Sequence, residues 1–150
     1  TELMADPGAE CTDTDDAYIE VLNLGEETVD LEGLVLTLGE HDGTVEARVL
    51  LAPGDRAVLV RTQPSPCYGF DGDAELTVPL PQEGGDLAIS RPDGTLLDAV
   101  DFTGWTITPG YALQTDDLGP DANDDESAWC MASTPLESDF GTPGSAGSCI

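Results

Sequence analysis

Apolar and polar residues alternate most regularly between residues 18 and 38, where two apolar stretches flank a short polar bend. In the first stretch Ile19 and Val21 stand at alternate positions, and the bend that follows contains Asn23 and Gly25. The second stretch repeats leucine with a period of two, at Leu34, Leu36 and Leu38. A period of two places side chains on one face of a strand. The pattern therefore predicts two strands joined by a turn, each with one face to bury.

Short apolar stretches recur at intervals of about ten residues, separated by turns rich in Gly, Pro and Asp. We predict hairpin turns at 41–44 and 91–94, a polar loop over 8–16, and a largely irregular chain from Thr115 onward. The strand at 56–61 is apolar on both faces and should be central. Further strands are predicted at 1–5, 45–50, 74–78, 87–90, 95–102 and 110–114. No convincing helical period is present, so the sequence predicts an all-β sandwich or barrel with mostly antiparallel pairing.

The charge of the chain is extreme, because 4 Lys and Arg stand against 31 Asp and Glu, a net charge of −27. Such a surface repels phosphate groups, so binding to nucleic acid or to an anionic membrane is disfavoured. No apolar run approaches the roughly 20 residues that a membrane helix needs. The length fits a single domain, residues 1–150, with a substantial core. Two interpretations of the acidity stay open, a high-salt habitat or the binding of divalent cations.

The four cysteines are Cys11, Cys67, Cys130 and Cys149, and no two of them form a close CxxC pair. Zinc sites usually contain such pairs, so we interpret the even set as two disulfides. Three pairings are possible in principle. We predict a Cys130–Cys149 bridge, because both residues lie in the irregular C-terminal segment, and this choice leaves Cys11 to pair with Cys67. Two disulfides predict an oxidising compartment, with the protein secreted or at the cell surface.

Several short motifs occur in an order that resembles the lamin tail domain family. They cover residues 2–7, 18–23, 29–34, 51–60, 84–87, 98–100 and the closing Gly-Thr-Pro-Gly at 141–144. Leu34 stands where the family usually has Trp. The resemblance implies an immunoglobulin-like β-sandwich, and we predict eight or nine mostly antiparallel strands with an irregular C-terminal segment pinned by the Cys130–Cys149 disulfide. The cysteines and acidic loops point to the secreted bacterial branch, whose domains are non-catalytic modules of exported proteins.

Acidic loops are the candidate metal sites, because Ca²⁺ binds six to eight oxygen ligands, often from flexible loops. The first candidate set is Asp121, Asn123, Asp125 and Glu126. A second set, Asp13, Asp15, Asp71 and Asp73, would share one ion if the Cys11–Cys67 bridge joined the two loops. Neither region fits the EF-hand template, which needs Gly at position 6 and Glu at position 12. With 31 acids in the chain, composition alone also produces such clusters.

Other polar and aromatic residues offer weaker signals. Trp105 is the candidate contact residue for a ligand or partner, whereas Trp129 is expected to be a buried anchor beside the C-terminal bridge. His41 is expected to be exposed in a turn and inert, so we predict no enzymatic activity. Glu2 and Glu20 would share a cation if their strands paired, although solvent exposure is the simpler expectation.

The sequence thus predicts a monomeric, non-catalytic interaction or structural module of a larger exported bacterial protein, with a protein or surface glycan as partner. One alternative is a calcium-stabilised adhesive or carbohydrate-binding module, in which calcium is the one cofactor. Another is an accessory domain of a secreted hydrolase or nuclease. Fold likeness alone does not choose among these functions.

Overall fold

The computed structural model describes residues 1–149, so Ile150 of the predicted 1–150 domain lies outside the described part. The helical segments are α1 at Asp13–Asp16 and a 3-10 helix at Glu126–Ala128. The strands are β1 Glu2–Met4, β2 Tyr18–Leu22, β3 Val29–Asp30, β4 Val35–Leu38, β5 His41–Thr44, β6 Leu50–Leu51, β7 Arg56–Val60, β8 Ala74–Glu75, β9 Asp86–Ser90, β10 Leu96–Asp101, β11 Leu113–Gln114, β12 Cys130–Met131, β13 Pro135–Leu136 and β14 Asp139–Phe140. None of the described helices is long and apolar enough to cross a membrane.

Two larger sheets contain most of the strands. A six-stranded sheet has the order β12-β11-β1-β2-β7-β8, and a four-stranded sheet has the order β10-β9-β4-β5. Two small sheets pair β13 with β14 and β3 with β6. The nearly all-β, mainly antiparallel fold class is confirmed. The strands outnumber the eight or nine expected, because several of them are two-residue pairings that carry too short an alternation to be recognised in sequence.

The stretch from 18 to 38 supplies one strand to each of the larger sheets. β2 pairs with β1 and β7, whereas β4 pairs with β5 and β9. The main apolar core contains Ile19 from β2 together with Leu36 and Leu38 from β4. The two predicted strands therefore face each other across the core instead of pairing edge to edge.

The six-stranded sheet is buried on both faces. Its inner face contributes Leu3, Ile19 and Leu59 to the main core. Their alternate neighbours point outward and belong to a second apolar cluster that includes Met4, Tyr18, Val58, Val60 and Ala112. Loop residues Tyr68 and Phe70 cover this outer cluster, with the ring of Tyr18 packed edge-on against both. The prediction that the 56–61 strand is central is confirmed, because β7 lies between β2 and β8.

The segment between β4 and β6 differs from its prediction. The turn expected at 41–44 lies instead at residues 39 and 40, between the paired Leu38 and His41. Gly39 has a φ of +61°, a conformation that favours glycine. Residues 41–44 are therefore the return strand β5, which pairs with β4. The predicted strand at 45–50 is mostly wrong, since only Leu50 pairs, in β6. Val45 instead donates its N–H to the Leu34 carbonyl at 2.9 Å and turns its side chain into the core.

Three other segments also differ. The predicted strand at 74–78 shortens to β8, which runs parallel to β7 because the preceding loop crosses the sheet instead of turning back beside it. The polar loop at 8–16 contains the single helical turn α1. The region from Thr115 onward contains β12, β13 and β14, which pair over two residues each.

Both predicted disulfides are confirmed. Cys11 bonds to Cys67 with a Cα–Cα distance of 5.4 Å, and Cys130 bonds to Cys149 with a Cα–Cα distance of 5.6 Å. The first bridge joins the loop before β2 to the loop after β7, and both loops lie on the outer face of the six-stranded sheet. The second bridge ties β12 to the end of the described chain.

Candidate functional site

A cavity of about 400 Å³ lies between the two larger sheets, and we call it the inter-sheet pocket. Its volume falls within the roughly 300–1,000 Å³ of typical ligand pockets. Both sheets contribute aliphatic side chains to its walls, and Trp129 adds an aromatic one. The aliphatic wall residues include Leu3, Ile19, Val21, Leu31, Leu34, Leu36, Leu51, Leu87, Ile89 and Val100. Alternating apolar residues that predicted strands in the sequence, such as Leu34 and Leu36, therefore also line this pocket.

One side of the pocket is closed by the loop that follows β11 instead of by a strand. The indole Nε1 of Trp129 donates to the Asn123 carbonyl at 2.8 Å, which holds the loop in a turn. The Asn123 side chain then donates from Nδ2 to Oδ2 of Asp98 at 2.8 Å and ties the loop to the edge strand β10. At this point β10 has an irregular register between Leu96 and Asp98. A bulge at an edge strand commonly re-aims a side chain beside a functional site.

The polar groups of the inter-sheet pocket are few and mostly accept hydrogen bonds. Oδ1 of Asn123 is buried and has no hydrogen-bond partner among the described residues. Asp98, Asp117, Arg91 and Thr1 also belong to the lining, and the N-terminal ammonium of Thr1 donates to the Glu20 carbonyl at 2.8 Å. A buried acceptor without a partner costs about 1–3 kcal/mol. Because Oδ1 of Asn123 has almost no accessible surface, it does not open to the pocket, whose lining is mainly apolar.

Exposed leucines surround the mouth of the inter-sheet pocket. Leu24 is 54% exposed, Leu118 38% and Leu97 37%, and all three line the pocket. Large apolar side chains grouped around an opening mark interaction sites more often than single exposed ones do. Each of these leucines lies in a different segment of the chain, so sequence reasoning did not group them.

A second cavity, also of about 400 Å³, has a different lining. It is bordered by Arg61 and Thr77 and by the carboxylates of Glu46, Asp73 and Glu75. Few of its lining residues are apolar, whereas the inter-sheet pocket is lined mainly by core residues. The inter-sheet pocket is therefore the stronger candidate for ligand binding.

In the first predicted metal set, Asp121, Asn123, Asp125 and Glu126, the last three side chains make hydrogen bonds that serve the local fold. Oδ1 of Asp125 accepts from the Ser127 N–H at 2.8 Å and caps the 3-10 helix, and these bonds lower the pKa of Asp125. Oε1 of Glu126 accepts from the Thr106 N–H at 2.9 Å. Within residues 1–149, no three carboxylate oxygens of this loop lie within 4.8 Å of one another. Calcium binding here stays a prediction.

The second predicted metal set is Asp13, Asp15, Asp71 and Asp73, and two of its members, Asp15 and Asp73, make separate hydrogen bonds. Oδ1 of Asp15 accepts from the Thr62 hydroxyl at 2.9 Å, and Oδ2 of Asp73 accepts from the Val58 N–H at 2.8 Å. Among the described residues, one group of potential ligands lies within 4.8 Å, formed by Cys11, Asp16 and Cys67. Both thiols of that group are consumed by the disulfide. A shared ion between these loops also stays a prediction.

The aromatic candidates lie together at the edge of the main core. Trp129 is buried, as expected, and its ring centroid lies 5.8 Å from that of Trp105. Trp105 is half-buried and also packs against Phe102, so much of its surface is used in the core. Its role as a contact residue stays a prediction. His41 is exposed, as expected, but it lies on β5 and not in a turn.

Sequence reasoning missed the buried carboxylates of the outer face, and Glu2 and Glu20 show why. They are direct partners across β1 and β2, yet both are about 1–2% exposed, so the expectation of solvent exposure is wrong. Glu2 accepts hydrogen bonds from the Tyr18 hydroxyl and from the N–H and hydroxyl of Thr142. Glu20 accepts from Arg56 Nε at 3.1 Å and from the Gly144 N–H at 2.9 Å.

These two carboxylates hold the closing 141–144 segment against the six-stranded sheet. Gly141 lies so close to the Tyr18 hydroxyl that a side chain there would collide with it. The opening and closing motifs of the resemblance therefore meet in one hydrogen-bonded cluster. Each carboxylate is matched by protein donors, and neither needs a shared cation.

Two further buried carboxylates fix the remaining loops of the outer face. Oδ1 of Asp16 accepts from the Ser65 hydroxyl at 2.6 Å and from the Cys67 N–H at 3.0 Å. Oδ2 of Asp139 accepts from the Gly8 N–H at 2.8 Å and from the Tyr68 hydroxyl at 2.7 Å. Sequence offered no signal for them, because acids at these positions resemble the many exposed ones.

Burial shifts the proton affinity of several groups in this network. It raises the pKa of Glu20 above its ordinary value, and it raises the pKa of Tyr18 well above the usual range of a phenol, with the charge of Glu2 adding to the effect. Burial and the hydrogen bond to Asp139 likewise raise the pKa of Tyr68. Both phenols therefore keep their protons and act as donors. A network of satisfied donors and acceptors is suited to fixing structure.

Comparisons with protein-family models, with curated proteins and with solved structures find no match. The resemblance to the lamin tail domain and the immunoglobulin-like topology therefore stay predictions. Two disulfides are typical of an oxidising compartment, which agrees with the expected extracellular location.

Proposed function

We propose that this protein is a non-catalytic binding module of an exported bacterial protein, and that it binds through the end of the sandwich around the inter-sheet pocket. The observation that carries the proposal is the group of exposed leucines at the pocket mouth. Leu24 and Leu118 extend into solvent on a chain whose net charge is −27. Exposed apolar groups on so acidic a surface reduce solubility, and a binding role explains their presence.

The supporting frame around this mouth is rigid. Asn23, at the start of the loop that carries Leu24, donates from Nδ2 to the Leu51 carbonyl at 2.9 Å and to the Glu27 carbonyl at 2.8 Å. Its Oδ1 accepts from the Gly25 N–H at 2.9 Å, so the loop is closed on itself. Binding loops on a fixed scaffold are the usual arrangement for recognition.

Site-specific photo-crosslinking tests the proposal. A photoreactive residue replaces Leu24 or Leu118, and the protein is then irradiated with the envelope and culture supernatant of the bacterium that exports it. Leu50 provides the matched control, because it is 56% exposed, against 54% for Leu24, and lies outside the pocket lining. We expect adducts at positions 24 and 118 in excess over position 50. Equal labelling at the three positions would contradict the proposal.

A calcium-stabilised adhesive or carbohydrate-binding module stays the alternative, supported by the net charge of −27. Thermal unfolding with chelator, with CaCl₂, and with NaCl at the same ionic strength separates the two. A ligand that binds only the native state stabilises it by RT ln(1 + [L]/Kd), whereas screening depends on ionic strength alone. A larger rise with CaCl₂ than with NaCl would favour the alternative.

A further inference from the structure

We propose that the leucines at the pocket mouth bind a basic amphipathic segment of a partner protein, which presents aliphatic side chains together with lysines or arginines. This inference names the chemistry of the partner and rests on the proposed binding function. It follows from the position of the three leucines, from the closed core behind them and from the charges beside them.

The irregular register of β10 places Leu97 at the mouth. Leu96 lies opposite Ser90 on β9. Leu97 follows it without a partner, because the next pair begins at Asp98. A residue at such a bulge leaves the regular alternation of its strand. Leu97 therefore lines the pocket, whereas Leu96, which is 59% exposed, does not.

The other two leucines lie in loops that hydrogen bonds hold in place. Leu24 lies in the loop that Asn23 closes on itself. Thr115, three residues before Leu118, donates its N–H to the Thr1 carbonyl at 3.0 Å. All three leucines are thus fixed beside one opening before a partner arrives, which reduces the entropy lost on binding.

The core behind the mouth is closed. Leu36 is 0% exposed and Leu34 is 5% exposed, whereas Leu24 is 54% exposed. A partner therefore contacts the leucines at the surface and does not pass between the sheets. Small molecules usually bind where a concave site buries most of their surface. A contact spread over three segments favours a protein segment, because its several aliphatic side chains cover several leucines at once.

Exposed carboxylates accompany the mouth leucines. Four of them lie within three residues of Leu24 or Leu118, and we call them the rim carboxylates: Glu26, Glu27, Asp116 and Asp117. Within residues 1–149 the salt bridges are Arg48–Asp30 and Arg56–Glu20, so no cation of the protein pairs with a rim carboxylate. On the outer face, by contrast, buried carboxylates such as Glu2 already have protein donors. The rim carboxylates are therefore available to a partner.

Two cationic groups belong to the pocket lining, and they do not balance the rim. The ammonium of Thr1 is already engaged, because it donates to the Glu20 carbonyl at 2.8 Å. Arg91 is exposed at the turn between β9 and β10. The four rim carboxylates outnumber these two cations, and the net charge of −27 adds a field of the same sign.

These charges select among the possible occupants of the mouth. A second copy of the chain would bring the same rim carboxylates and the same net charge of −27, so the two copies repel each other. An anionic lipid surface is repelled for the same reason. A basic segment is attracted by the carboxylates while its aliphatic side chains cover the leucines. Charge complementarity of this kind also speeds association and discriminates against wrong partners.

Titration with three synthetic peptides of equal length tests the chemistry of the partner, with binding followed by fluorescence anisotropy at one ionic strength. The first peptide combines leucine with lysine, the second replaces its leucines by serine, and the third replaces its lysines by glutamate. We expect the first to bind at least about tenfold more tightly than the second, because aliphatic burial adds to the attraction. Equal binding of the first two would overturn the proposal, since net charge alone would explain it. Tighter binding of the third would overturn it as well.

Two leucines of β10 form a matched pair of variants. Leu97→Ala should weaken binding of the leucine–lysine peptide about fivefold, because it removes apolar surface at the mouth. Leu96→Ala truncates the neighbouring exposed leucine outside the lining and should leave binding unchanged. Equal effects of the two substitutions would contradict docking at the mouth.

A second pair of variants tests the rim carboxylates. Glu26→Gln/Glu27→Gln should weaken binding of the same peptide about threefold, the range expected for exposed ion pairs. Glu40→Gln/Asp86→Asn also removes two exposed charges, at a turn where the Gly39 N–H donates to the Asp86 carbonyl, outside the pocket lining. This control should bind as the unchanged protein does. Equal weakening in both variants would assign the attraction to net charge and overturn the proposal.

NMR locates the bound peptide through two exposed glycines in turns. Gly25 lies beside Leu24 in the pocket lining, whereas Gly39 lies outside the lining. The leucine–lysine peptide should shift the amide signal of Gly25 more than that of Gly39. Equal shifts, or a larger shift of Gly39, would contradict binding at the mouth.

The two proposals fail separately. If the peptide shows no preference for the mouth while crosslinking still favours positions 24 and 118, the partner chemistry is wrong and the binding function stands. If the peptide binds at the mouth while crosslinking shows no preference, the binding function is wrong and the chemistry of the mouth stands.

Discussion

The two faces of the six-stranded sheet are both buried, but by different means. The inner face packs aliphatic side chains such as Leu3 and Ile19 against a second sheet. The outer face carries Glu2, Tyr18 and Glu20 and is covered by loops that hydrogen bonds and a disulfide hold in place. Successive residues of the same strands serve the two faces, because side chains alternate along a strand.

This difference bears on where binding can occur. Apolar packing has no directional requirement, so the inner face accommodates a cavity of about 400 Å³ between its layers. On the outer face each buried carboxylate is matched by specific donors, and losing one donor leaves a charge unsatisfied. We infer that the outer face fixes the structure and that the inner face has room for a ligand. The predictions below test this division, from the largest expected effect to the smallest.

Removal of the Cys11–Cys67 bridge should have the largest effect. The double variant Cys11→Ala/Cys67→Ala should lose about 2–5 kcal/mol of unfolding free energy, measured by urea denaturation. The bridge closes a separation of 56 residues and joins two of the loops that cover the outer face. Cys130→Ala/Cys149→Ala, with a separation of 19 residues, is the comparison and should lose less. The opposite order would contradict the structural role given to the outer face.

The same substitution on the two faces should have different results. Val58→Phe enlarges a buried residue of the outer cluster and should destabilise the protein by about 1–3 kcal/mol, the usual cost of overpacking. Val21→Phe on the adjacent strand points toward the inter-sheet pocket and should be close to neutral, because the added atoms enter the cavity. Thermal unfolding measures both. Equal destabilisation would mean that the inner face has no spare volume.

Glu20 should make stability depend on pH. Burial raises its pKa in the folded protein above the ordinary 4.5, so the folded state binds the proton more tightly than the unfolded state does. This contribution to the unfolding free energy is fully present below about pH 4.5 and is lost as the pH rises through the folded pKa. Glu20→Gln should flatten the dependence in that interval, as followed by denaturation at several pH values. Glu32→Gln removes an exposed glutamate and is the control, so an equal flattening there would assign the effect to net charge.

Part of the fold and of the site was accessible from sequence. The alternation of Leu34, Leu36 and Leu38 predicts a strand with a buried face, and these leucines are core residues in the structure. The hairpin at 91–94 follows from its Pro-Asp-Gly turn, and the structure pairs β9 with β10 on either side of it. The even number of cysteines predicts two disulfides, and the position of Cys130 and Cys149 in the C-terminal segment predicts the pairing that the structure shows. These features depend on the local periodicity of apolar residues, on turn-forming residues, and on the number and position of the cysteines.

The remaining features depend on residues that are distant in the sequence. Leu24, Leu97 and Leu118 meet at the pocket mouth because the loop after β11 returns to the edge of β10. Glu2 and Glu20 were indistinguishable in sequence from exposed acids, because their burial depends on the Thr142 and Gly144 N–H groups more than 120 residues away. Sequence by itself determined where most of the longer strands lie and that the four cysteines form two disulfides. The tertiary structure alone decided which carboxylates are buried and where the core leaves a pocket, because donors and cavities arise from contacts between distant segments.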